Sequence, residues 1–432
     1  MVLSTQTHSR RAILERMKST QRTRYDAIVV GSGAAGGTLA RELAIRGQKV
    51  LVLEKGPGEP DPDSRVAPSG KTDLVFVGRG IPVARGIGVG GSTLLFFNTM
   101  WEPPFEYFRS LGIELASEAE EARKDLPIAP LADELVGPVA TRLMQSAREL
   151  GYDWRKLDKA IFQERCGPGR YPRSARWTSR YYLREAVQHG ARVLAQADVR
   201  RVLLEGGRAR GVEFATGGSS QQVRAERVIV CAGGIGSPQL LQASGLTAVG
   251  AGFFCDPLIS VFGAAEGIED EGEFPMTAGI HLSDEGYMMT DMPLPRASYQ
   301  ALAATALRFD RLFSHSRTLT IMVKIRDEIA GRVSTGKARR VFGPSEREKL
   351  ASGYRRASEI LRNAGAKKIF KSRVAAAHPG GTVPIGKHVD ANLQTECEGL
   401  YVCDCSVIAD PWGLPPVLTL VSLAKRLAKH LA

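Results

Sequence analysis

A glycine-rich turn between a short apolar strand and a helix is the feature that most constrains this chain. Residues 25–56 read YDAIVVGSGAAGGTLARELAIRGQKVLVLEKG. The pattern predicts a buried strand over 27–30, a G-x-G-x-x-G turn, a helix over 38–46 and a second strand over 49–53. Such a unit is typical of a Rossmann-like, doubly wound α/β fold that binds a dinucleotide.

The glycines of this turn have separate tasks. Gly31 permits the tight turn, Gly33 lets the backbone approach a pyrophosphate, and Gly36 lets the helix pack closely on the strand. Glu54 ends the second strand, where a carboxylate accepts hydrogen bonds from an adenosine ribose. The predicted contacts of this half of the cofactor are Gly31, Gly33, Ala34, Ala35, Gly36, Glu54 and Lys55. The motif alone does not separate NAD from FAD, because both carry the adenosine diphosphate half.

Two further turns are built from small residues. Residues 88–98 read GVGGSTLLFFN, a glycine turn set directly against leucines and phenylalanines. Residues 225–246 read AERVIVCAGGIGSPQLLQASGL, which predicts an apolar strand over 228–232, a turn, and a helix that begins at Pro238. Small residues at both turns indicate backbone that lies against a ligand.

The last part of the chain predicts a strand from Leu400 to Cys403 and a final apolar-faced helix after Pro416. Asp404 stands at the tip of that strand, and two interpretations of it stay open. Its carboxylate suits a ribityl hydroxyl group of a flavin cofactor, and it equally suits the cap of a turn or helix.

Composition narrows the class of protein. The chain has 432 residues, 43% of them apolar, and no run of about 18 apolar residues that a membrane-spanning helix requires. The formal charge is +12, part of it in a basic tail over 1–24, and no nucleic-acid-binding motif accompanies it. The six cysteines lack a CxxC pair, so we expect neither a metal site nor a disulfide framework. We predict a cytoplasmic protein, with peripheral contact with the inner membrane as an open alternative.

Together the four segments resemble the glucose–methanol–choline (GMC) oxidoreductases, which are FAD-dependent enzymes. The resemblance rests on GSGAAGG with Glu54, GVGGST at 88–93, GGIGSPQLLQASGL at 233–246, and HPGGT followed by LYVCDCSV and PPVLTLVSLAKRLA near the end. It implies that backbone near Val199 meets the adenine and that the turn at 90–93 passes close to the flavin. The implied FAD contacts downstream are Gly90, Gly91, Ser92, Thr93, Val199, Ala232, Gly233, Ser237, Asp404, Pro416 and Val417.

The resemblance also implies two catalytic residues. His378 matches the family histidine that takes the hydroxyl proton of an alcohol while hydride passes to flavin N5, and Asn98 corresponds to a residue near the reactive edge of the flavin. An imidazole titrates near neutrality, which suits a general base for this reaction. The family usually has a second polar residue, His or Asn, before the last helix, whereas this chain has Leu414 and Pro415 there. Either another residue, such as His388, Asn98 or Ser92, orients the substrate hydroxyl, or the chemistry is slower, or it differs. A further departure is FFCDP at 253–257, where many relatives carry an acidic residue and a histidine.

The predicted FAD-binding domain is discontinuous and comprises 25–100, 186–250 and 376–432. The remaining segments, 101–185 and 251–375, form a second, mostly antiparallel-sheet substrate or cap domain. Its methionine-rich stretch GYMMTDMPLP at 286–295 is interpreted either as a pocket wall or as core.

The sequence predicts an oxidoreductase that oxidises the CH–OH group of a small-molecule alcohol and passes electrons to oxygen, a quinone or a carrier protein. Whether it is a dehydrogenase or an oxidase is left open. Two alternatives also remain: a flavin-containing lyase without net oxidation, and a flavoprotein that relays electrons between another enzyme or cofactor and a respiratory acceptor.

Overall fold

The structure, a computed structural model, describes residues 24–58, 71–78, 80–167, 171–268 and 272–432. All but the last residue of the predicted basic tail lies outside the described residues. The strands are β1 (Tyr25–Val30), β2 (Val50–Leu53), β3 (Lys71–Val77), β4 (Ile81–Ile87), β5 (Ile128–Pro130), β6 (Arg155–Lys156), β7 (Asp158–Ala160), β8 (Arg192–Leu194), β9 (Asp198–Glu205), β10 (Arg208–Thr216), β11 (Ser219–Val230), β12 (Ala251–Ala264), β13 (Ala278–Leu282), β14 (Tyr287–Asp291), β15 (Thr318–Ile325), β16 (Gly331–Ser334), β17 (Lys337–Arg339), β18 (Lys367–Lys371), β19 (Ala375–Gly380) and β20 (Leu400–Val402).

The α-helices of the described ranges connect these strands. They are α1 (Ala34–Ile45), α2 (Phe105–Ser110), α3 (Ala116–Asp125), α4 (Pro138–Glu149), α5 (Arg180–Gln188), α6 (Gly233–Ala243), α7 (Arg296–Thr305), α8 (Pro344–Asn363) and α9 (Val417–His430). Within the described ranges, none of the helices is both long enough and apolar enough to cross a membrane.

The first sheet confirms the predicted Rossmann-like layer. Strand β1 pairs in parallel with β2 and β11, and these pair in parallel with β8 and β20. Strands β9 and β10 extend the sheet as an antiparallel meander. Helix α1 packs against α5 and α9, and the buried β1 strand between its neighbours explains the continuous apolar run at its centre.

The second sheet is mostly antiparallel, as expected for a substrate domain. Its central strand β12 pairs with β15 on one side and successively with β16, β19 and β18 on the other. Strands β14, β13 and β6 continue beyond β15. Helices α4 and α8 cover one face through a common apolar core.

The membership of this sheet differs from the predicted domain boundaries. The hairpin of β3 and β4 falls in the segment assigned to the FAD-binding domain, yet β4 pairs in parallel with β19 of the second sheet. Strand β19, also assigned to the FAD-binding domain, pairs with β12. Conversely, α5, whose residues up to 185 were assigned to the cap, packs on α1. The second sheet thus takes strands from segments that are distant in the chain, and the domain bounds stay a prediction.

Helix α6 begins at Gly233, five residues before the predicted start at Pro238. Proline in a helix leaves the carbonyl four residues earlier without its usual donor. Here that carbonyl belongs to Gly234 and accepts a hydrogen bond of 2.8 Å from the Thr382 hydroxyl. A tertiary contact therefore replaces the missing backbone bond and lets the helix extend through Pro238.

The methionine-rich stretch forms strand β14 and its exit. Met288, Met289 and Met292 are buried, and Met288 and Met292 belong to an apolar cluster that also contains Phe262 and Tyr299. Of the two interpretations, core packing is the one that the structure supports.

Candidate active site

The two N-terminal glycine clusters lie against each other. A methyl group on Gly91 would lie 2.8 Å from the Cα of Gly33, closer than real side chains come to backbone. The Ser32 hydroxyl accepts a 3.1 Å hydrogen bond from the Gly90 amide. Position 91 therefore requires glycine because the second turn crosses directly over the first.

The start of α1 has the properties of a pyrophosphate site. Gly33 is the N-cap, and no side chain caps the helix. A methyl group on Gly33 would meet no atom within 4 Å, whereas one on Gly36 would lie 2.1 Å from the Gly31 carbonyl oxygen. Uncapped amides at a helix N-terminus that face open space bind anions. The residues present thus fit the diphosphate of FAD.

Glu54 lies where the ribose contact was predicted, and its carboxylate is also held by the protein. It accepts hydrogen bonds from the Ser32 hydroxyl at 2.6 Å and from the Gly56 amide at 2.8 Å. The Glu54 carbonyl accepts a hydrogen bond from the amide of Ala197, which lies just before β9. Lys55 forms a 3.4 Å ion pair with Asp198. The predicted adenosine contacts Glu54, Lys55 and Val199 are therefore neighbours in space.

Asp404 performs the capping task that was one of its two interpretations. Its carboxylate accepts hydrogen bonds from the Gly233 amide at 2.8 Å, from the Ser406 amide at 2.8 Å and from the Ser237 hydroxyl. Burial raises the pKa of this carboxyl. The Ser237 hydroxyl also accepts a 3.1 Å bond from the Ala232 amide. The predicted contacts Ala232, Gly233, Ser237 and Asp404 thus form one polar cluster at the start of α6, and the ribityl contact stays a prediction.

The hydroxyls of the second glycine turn have different surroundings. Thr93 is buried, donates to the Gly90 carbonyl and accepts a 3.0 Å bond from the Ser179 amide. Ser92 is exposed and accepts a 3.1 Å bond from the Gly86 amide. Thr93 therefore holds the turn in place, and Ser92 is the hydroxyl with access to a ligand.

Asn98 is engaged in structural hydrogen bonds. Its side-chain amide donates to the carbonyls of Ala160 and Trp177 at 3.1 and 2.8 Å, and the residue is buried. These bonds tie the segment after the glycine turn to the end of β7 and to the loop before α5. The contacts give no support to the predicted catalytic role, which remains a prediction.

A β-bulge presents His378. Along the β12–β19 ladder, Phe254 pairs with Gly380 and Asp256 pairs with Ala377, so β19 has one residue more than β12 between these pairs. Pro379 within the bulge has no amide to donate, and His378 adopts a left-handed φ of 50° that non-glycine residues rarely use. Bulges of this kind re-aim side chains beside active sites.

His378 belongs to a buried charged group. Its Nδ1 lies 3.1 Å from an Asp256 oxygen and 3.3 Å from the Lys324 Nζ. Asp256 and Lys324 are buried and lie 3.6 Å apart, on neighbouring strands β12 and β15 of the second sheet. Burial lowers the pKa of His378, Lys324 lowers it further, and Asp256 opposes both effects. Burial also lowers the pKa of Lys324 to about 8.

A narrow cleft opens in front of His378. Its apolar lining includes Phe254, Ile408, Trp412 and Leu414, and Asp256 and Pro416 also contribute to it. Leu414 stands where the family resemblance implies a second polar residue, and it lines the same cleft as His378. Pro416 and Val417, both predicted FAD contacts, stand at the cap and first residue of α9.

Sequence analysis missed Asp256 and Lys324 as site residues, although a signal was present. Each is the one charged residue of its strand, β12 and β15, and both strands are otherwise apolar or neutral. A lone charge in a buried strand requires a partner. Two such strands in one predicted sheet could have been paired on that ground.

The parallel sheet and the uncapped glycine helix start define a dinucleotide-binding protein, with the half-buried His378 in a cleft. Comparisons with known proteins identify the family. Sequence models of the GMC oxidoreductase N- and C-terminal domains match residues 25–257 and 311–424. The chain belongs to the GMC oxidoreductases, and FAD is the cofactor of this family.

Individual relatives are distant. An uncharacterized protein of Methanocaldococcus jannaschii is 24% identical over 94% of this chain and 100% of its own. A long-chain-alcohol oxidase of Arabidopsis thaliana is 24% identical over 98% of this chain and 69% of its own. The solved structure of pyridoxine 4-oxidase from Mesorbium loti is similar with a TM-score of 0.73 and 19% identity, over 94% of this chain and 99% of that one. The last similarity concerns the fold alone.

Replacing Gly33 with alanine is expected to leave the apoprotein folded and to weaken FAD binding roughly 5- to 150-fold, because the methyl group enters the space of the diphosphate. Titration of the apoprotein with FAD, followed by flavin fluorescence, measures the change. The matched variant is Gly36→Ala, whose methyl group meets backbone and should destabilise the apoprotein itself. If Gly33→Ala binds FAD with unchanged affinity, the diphosphate does not bind at the start of α1.

Proposed function

We propose that this protein oxidises the CH–OH group of an alcohol to a carbonyl, with His378 as the base that accepts the hydroxyl proton. The main support is that His378 lines the apolar cleft while its Nδ1 faces the buried Asp256 carboxylate. Among the described residues, none hydrogen-bonds its Nε2. The relative from Arabidopsis, a long-chain-alcohol oxidase by name, supports the reaction class.

Asp256 sets the tautomer of His378 in this proposal. A carboxylate accepts hydrogen bonds and does not donate them, so it retains the ring proton on Nδ1 and leaves a lone pair on Nε2. In this tautomer the Lys324 ammonium, 3.3 Å from Nδ1, donates to Asp256 and not to the ring. The lowered pKa keeps the imidazole unprotonated at physiological pH, so that Nε2 is free to accept a proton. The apolar lining limits competing water and thereby strengthens the contact between Nε2 and a substrate hydroxyl.

The chain's residues would place FAD with its diphosphate at Gly33 and its flavin beside the turn at 90–93 and the start of α9. Bound FAD supplies the acceptor for the hydride that leaves the carbinol carbon. Leu414 in place of a second polar residue leaves His378 as the group that orients the substrate hydroxyl. Asp256 and Lys324, behind the imidazole, then hold His378 in position.

Anaerobic mixing of the FAD-loaded protein with a panel of primary and secondary alcohols tests the proposal. At least one alcohol should bleach the visible flavin absorption and yield one carbonyl per flavin. Cleavage of a hydroxylated substrate without any bleaching would instead identify a lyase. Bleaching only by a reduced carrier protein or a reduced cofactor would identify an electron relay.

The pH dependence should report the charge beside His378. The neutral imidazole is the base, so kcat/KM rises with pH through the pKa of His378 and then levels off. Because that pKa is lowered, the rise should lie below pH of about 6.5, the ordinary value for histidine. Lys324→Met removes a cation that lowers this pKa, and the rise should move to higher pH. Asp256→Asn removes the opposing carboxylate and should move the rise to lower pH.

Steady-state kcat/KM against pH for the three proteins measures these shifts, with flavin content as the check on folding. Shifts of Lys324→Met and Asp256→Asn in the same direction would contradict the assigned electrostatics. If neither variant shifts the pH profile, the group that titrates in the profile is not His378.

A further inference from the structure

A segment between α7 and β15 presents large apolar side chains to solvent. Leu307, Phe309 and Phe313 are 67%, 62% and 82% exposed. They stand within seven residues of one another, around a short 3-10 turn from Phe309 to Arg311. We call residues 306–317 the apolar loop.

The apolar loop is anchored from beneath. Ala306 and Leu312 pack on the cluster that contains Met288, Met292 and Tyr299. The Tyr299 hydroxyl donates a 2.9 Å bond to the Arg311 carbonyl. The exposed side chains are thus held outward by a segment whose other residues join the core.

Leu307 occupies an unfavourable position for its residue type. Its φ of 59° is left-handed, and its amide bonds the Ala304 carbonyl at the end of α7. Glycine commonly occupies this position after a helix, because other residues are strained there. A leucine that is both strained and exposed contributes little to the fold, which indicates a use outside the core.

Positive charge accompanies these apolar side chains. The apolar loop contains Arg308, Arg311 and Arg317 against one acid, Asp310, which Arg308 and Arg311 share. Arg308 also lies over the Phe370 ring, 4.8 Å from its centre, and Lys368, two residues before Phe370, is exposed. The whole chain carries +12. A basic surface of this kind attracts a negatively charged surface.

We propose that the apolar loop docks on the surface of an anionic lipid bilayer. Leu307, Phe309 and Phe313 would enter the headgroup and acyl boundary, while the exposed Arg317 and Lys368 meet lipid phosphates. Aromatic and aliphatic tips among cations are the composition that binds such an interface. No helix in the described ranges crosses a membrane, so the docking is peripheral.

The apolar loop and the cleft at His378 contact the same apolar cluster. The cluster beneath the apolar loop also contacts Leu414, which lines the cleft at His378. One apolar cluster therefore connects the apolar loop to the wall of the cleft. The docking itself does not depend on the proposed oxidation, and each can fail without the other.

Flotation of the full-length, FAD-loaded protein with protein-free vesicles tests the docking. Vesicles of phosphatidylcholine with phosphatidylglycerol should carry the protein, and phosphatidylcholine alone should carry less of it. Rising salt should weaken the binding, because charges at the membrane surface are screened. Phe309→Ser and Phe313→Ser should each weaken partitioning about tenfold. Leu307→Gly should weaken it as well and should retain or improve thermal stability, because glycine relieves the left-handed strain.

Phe76→Ser is the matched control, since Phe76 on β3 is 61% exposed at a different site. It should bind vesicles as the unaltered protein does. Flavin content and melting temperature check that each variant is folded. The proposal is overturned if vesicles do not bind the unaltered protein at low salt, if Phe76→Ser weakens binding as much as Phe309→Ser, or if the loop variants bind normally. The proposal is also overturned if the vesicles bind this protein only after a second protein, extracted from membranes, is added to them. That result would identify a protein partner.

Discussion

His378→Gln is expected to lower the rate of anaerobic flavin reduction by alcohol roughly 10²–10⁴-fold, the usual contribution of a general base. Glutamine retains a polar side chain but cannot accept the hydroxyl proton near neutral pH. FAD content should stay unchanged, because the predicted diphosphate and ribose contacts Gly33 and Glu54 follow β1 and β2 of the first sheet, whereas β19 belongs to the second. Stopped-flow absorbance at saturating alcohol measures the rate.

His281→Gln is the matched control for this variant. Burial lowers the pKa of His281 as it does for His378, but His281 is on β13 and packs edge-on against Trp101 outside the cleft lining. Its rate of flavin reduction should stay within a few-fold of the unaltered protein. Equal rates for the unaltered protein and His378→Gln would exclude His378 as the base.

Arg340→Met is expected to lower the free energy of unfolding by about 3–5 kcal/mol, the usual cost of leaving a buried charge without its partner. Arg340 is buried between Asp327 and Glu346 and donates to Asp327 at 2.6 and 3.2 Å. Asp327 also accepts a 2.8 Å bond from the Cys255 amide, next to Asp256. Loss of the guanidinium therefore leaves two carboxylates uncompensated beside the strand that carries Asp256.

The deficit of Arg340→Met should depend on pH. Burial already raises the pKa of Asp327 to about 6, and removal of Arg340 should raise it further. Asp327 then becomes protonated at a higher pH in the variant than in the unaltered protein, so the deficit should be full above the raised pKa of the variant and should shrink as pH falls towards about 6. Urea unfolding at two pH values measures it.

Arg326→Met serves as the control, because Arg326 and Asp410 form an ion pair in which both side chains are about half exposed, 47% and 49%. Such surface pairs contribute about 0–1 kcal/mol. Similar losses in Arg326→Met and Arg340→Met would show that the buried network has no special weight in stability.

The glycine turns could be predicted from the sequence because their requirements are local. Gly31 needs a left-handed φ and Gly36 has no room for a methyl group, and each constraint arises from residues within the same strand–turn–helix unit. Glu54 follows from its place at the end of β2. The family resemblance placed His378 among these segments, and the structure places it in a cleft.

The environment of His378 could not be predicted in the same way. Asp256, Lys324 and His378 are on three strands, and their contacts depend on the register of β12 with β15 and on the bulge in β19. Strand register is set by long-range packing, and a shift of one residue would turn Lys324 to the opposite face. The hairpin of β3 and β4 crossed the predicted domain boundary for a similar reason, because its partner is distant in the chain.

Side chains that can serve either the ligand or the fold were the least predictable. The Asn98 amide binds two carbonyls of the region between α4 and α5, and the Asp404 carboxylate caps α6. Polar groups near a cofactor often satisfy the backbone first, because buried donors and acceptors need partners. Sequence patterns record the residue type but not which of these partners it selects.

The central claim is that a carbon–hydrogen bond of an alcohol breaks in the cleft beside His378. Its most direct test is the rate of anaerobic flavin reduction by the best alcohol of the panel, compared with the same alcohol deuterated at the carbinol carbon. The account predicts that deuterium slows bleaching several-fold and that deuterium appears in the reduced flavin or its exchange products. Equal rates for the two alcohols at saturation, or the absence of bleaching by every alcohol, would contradict it.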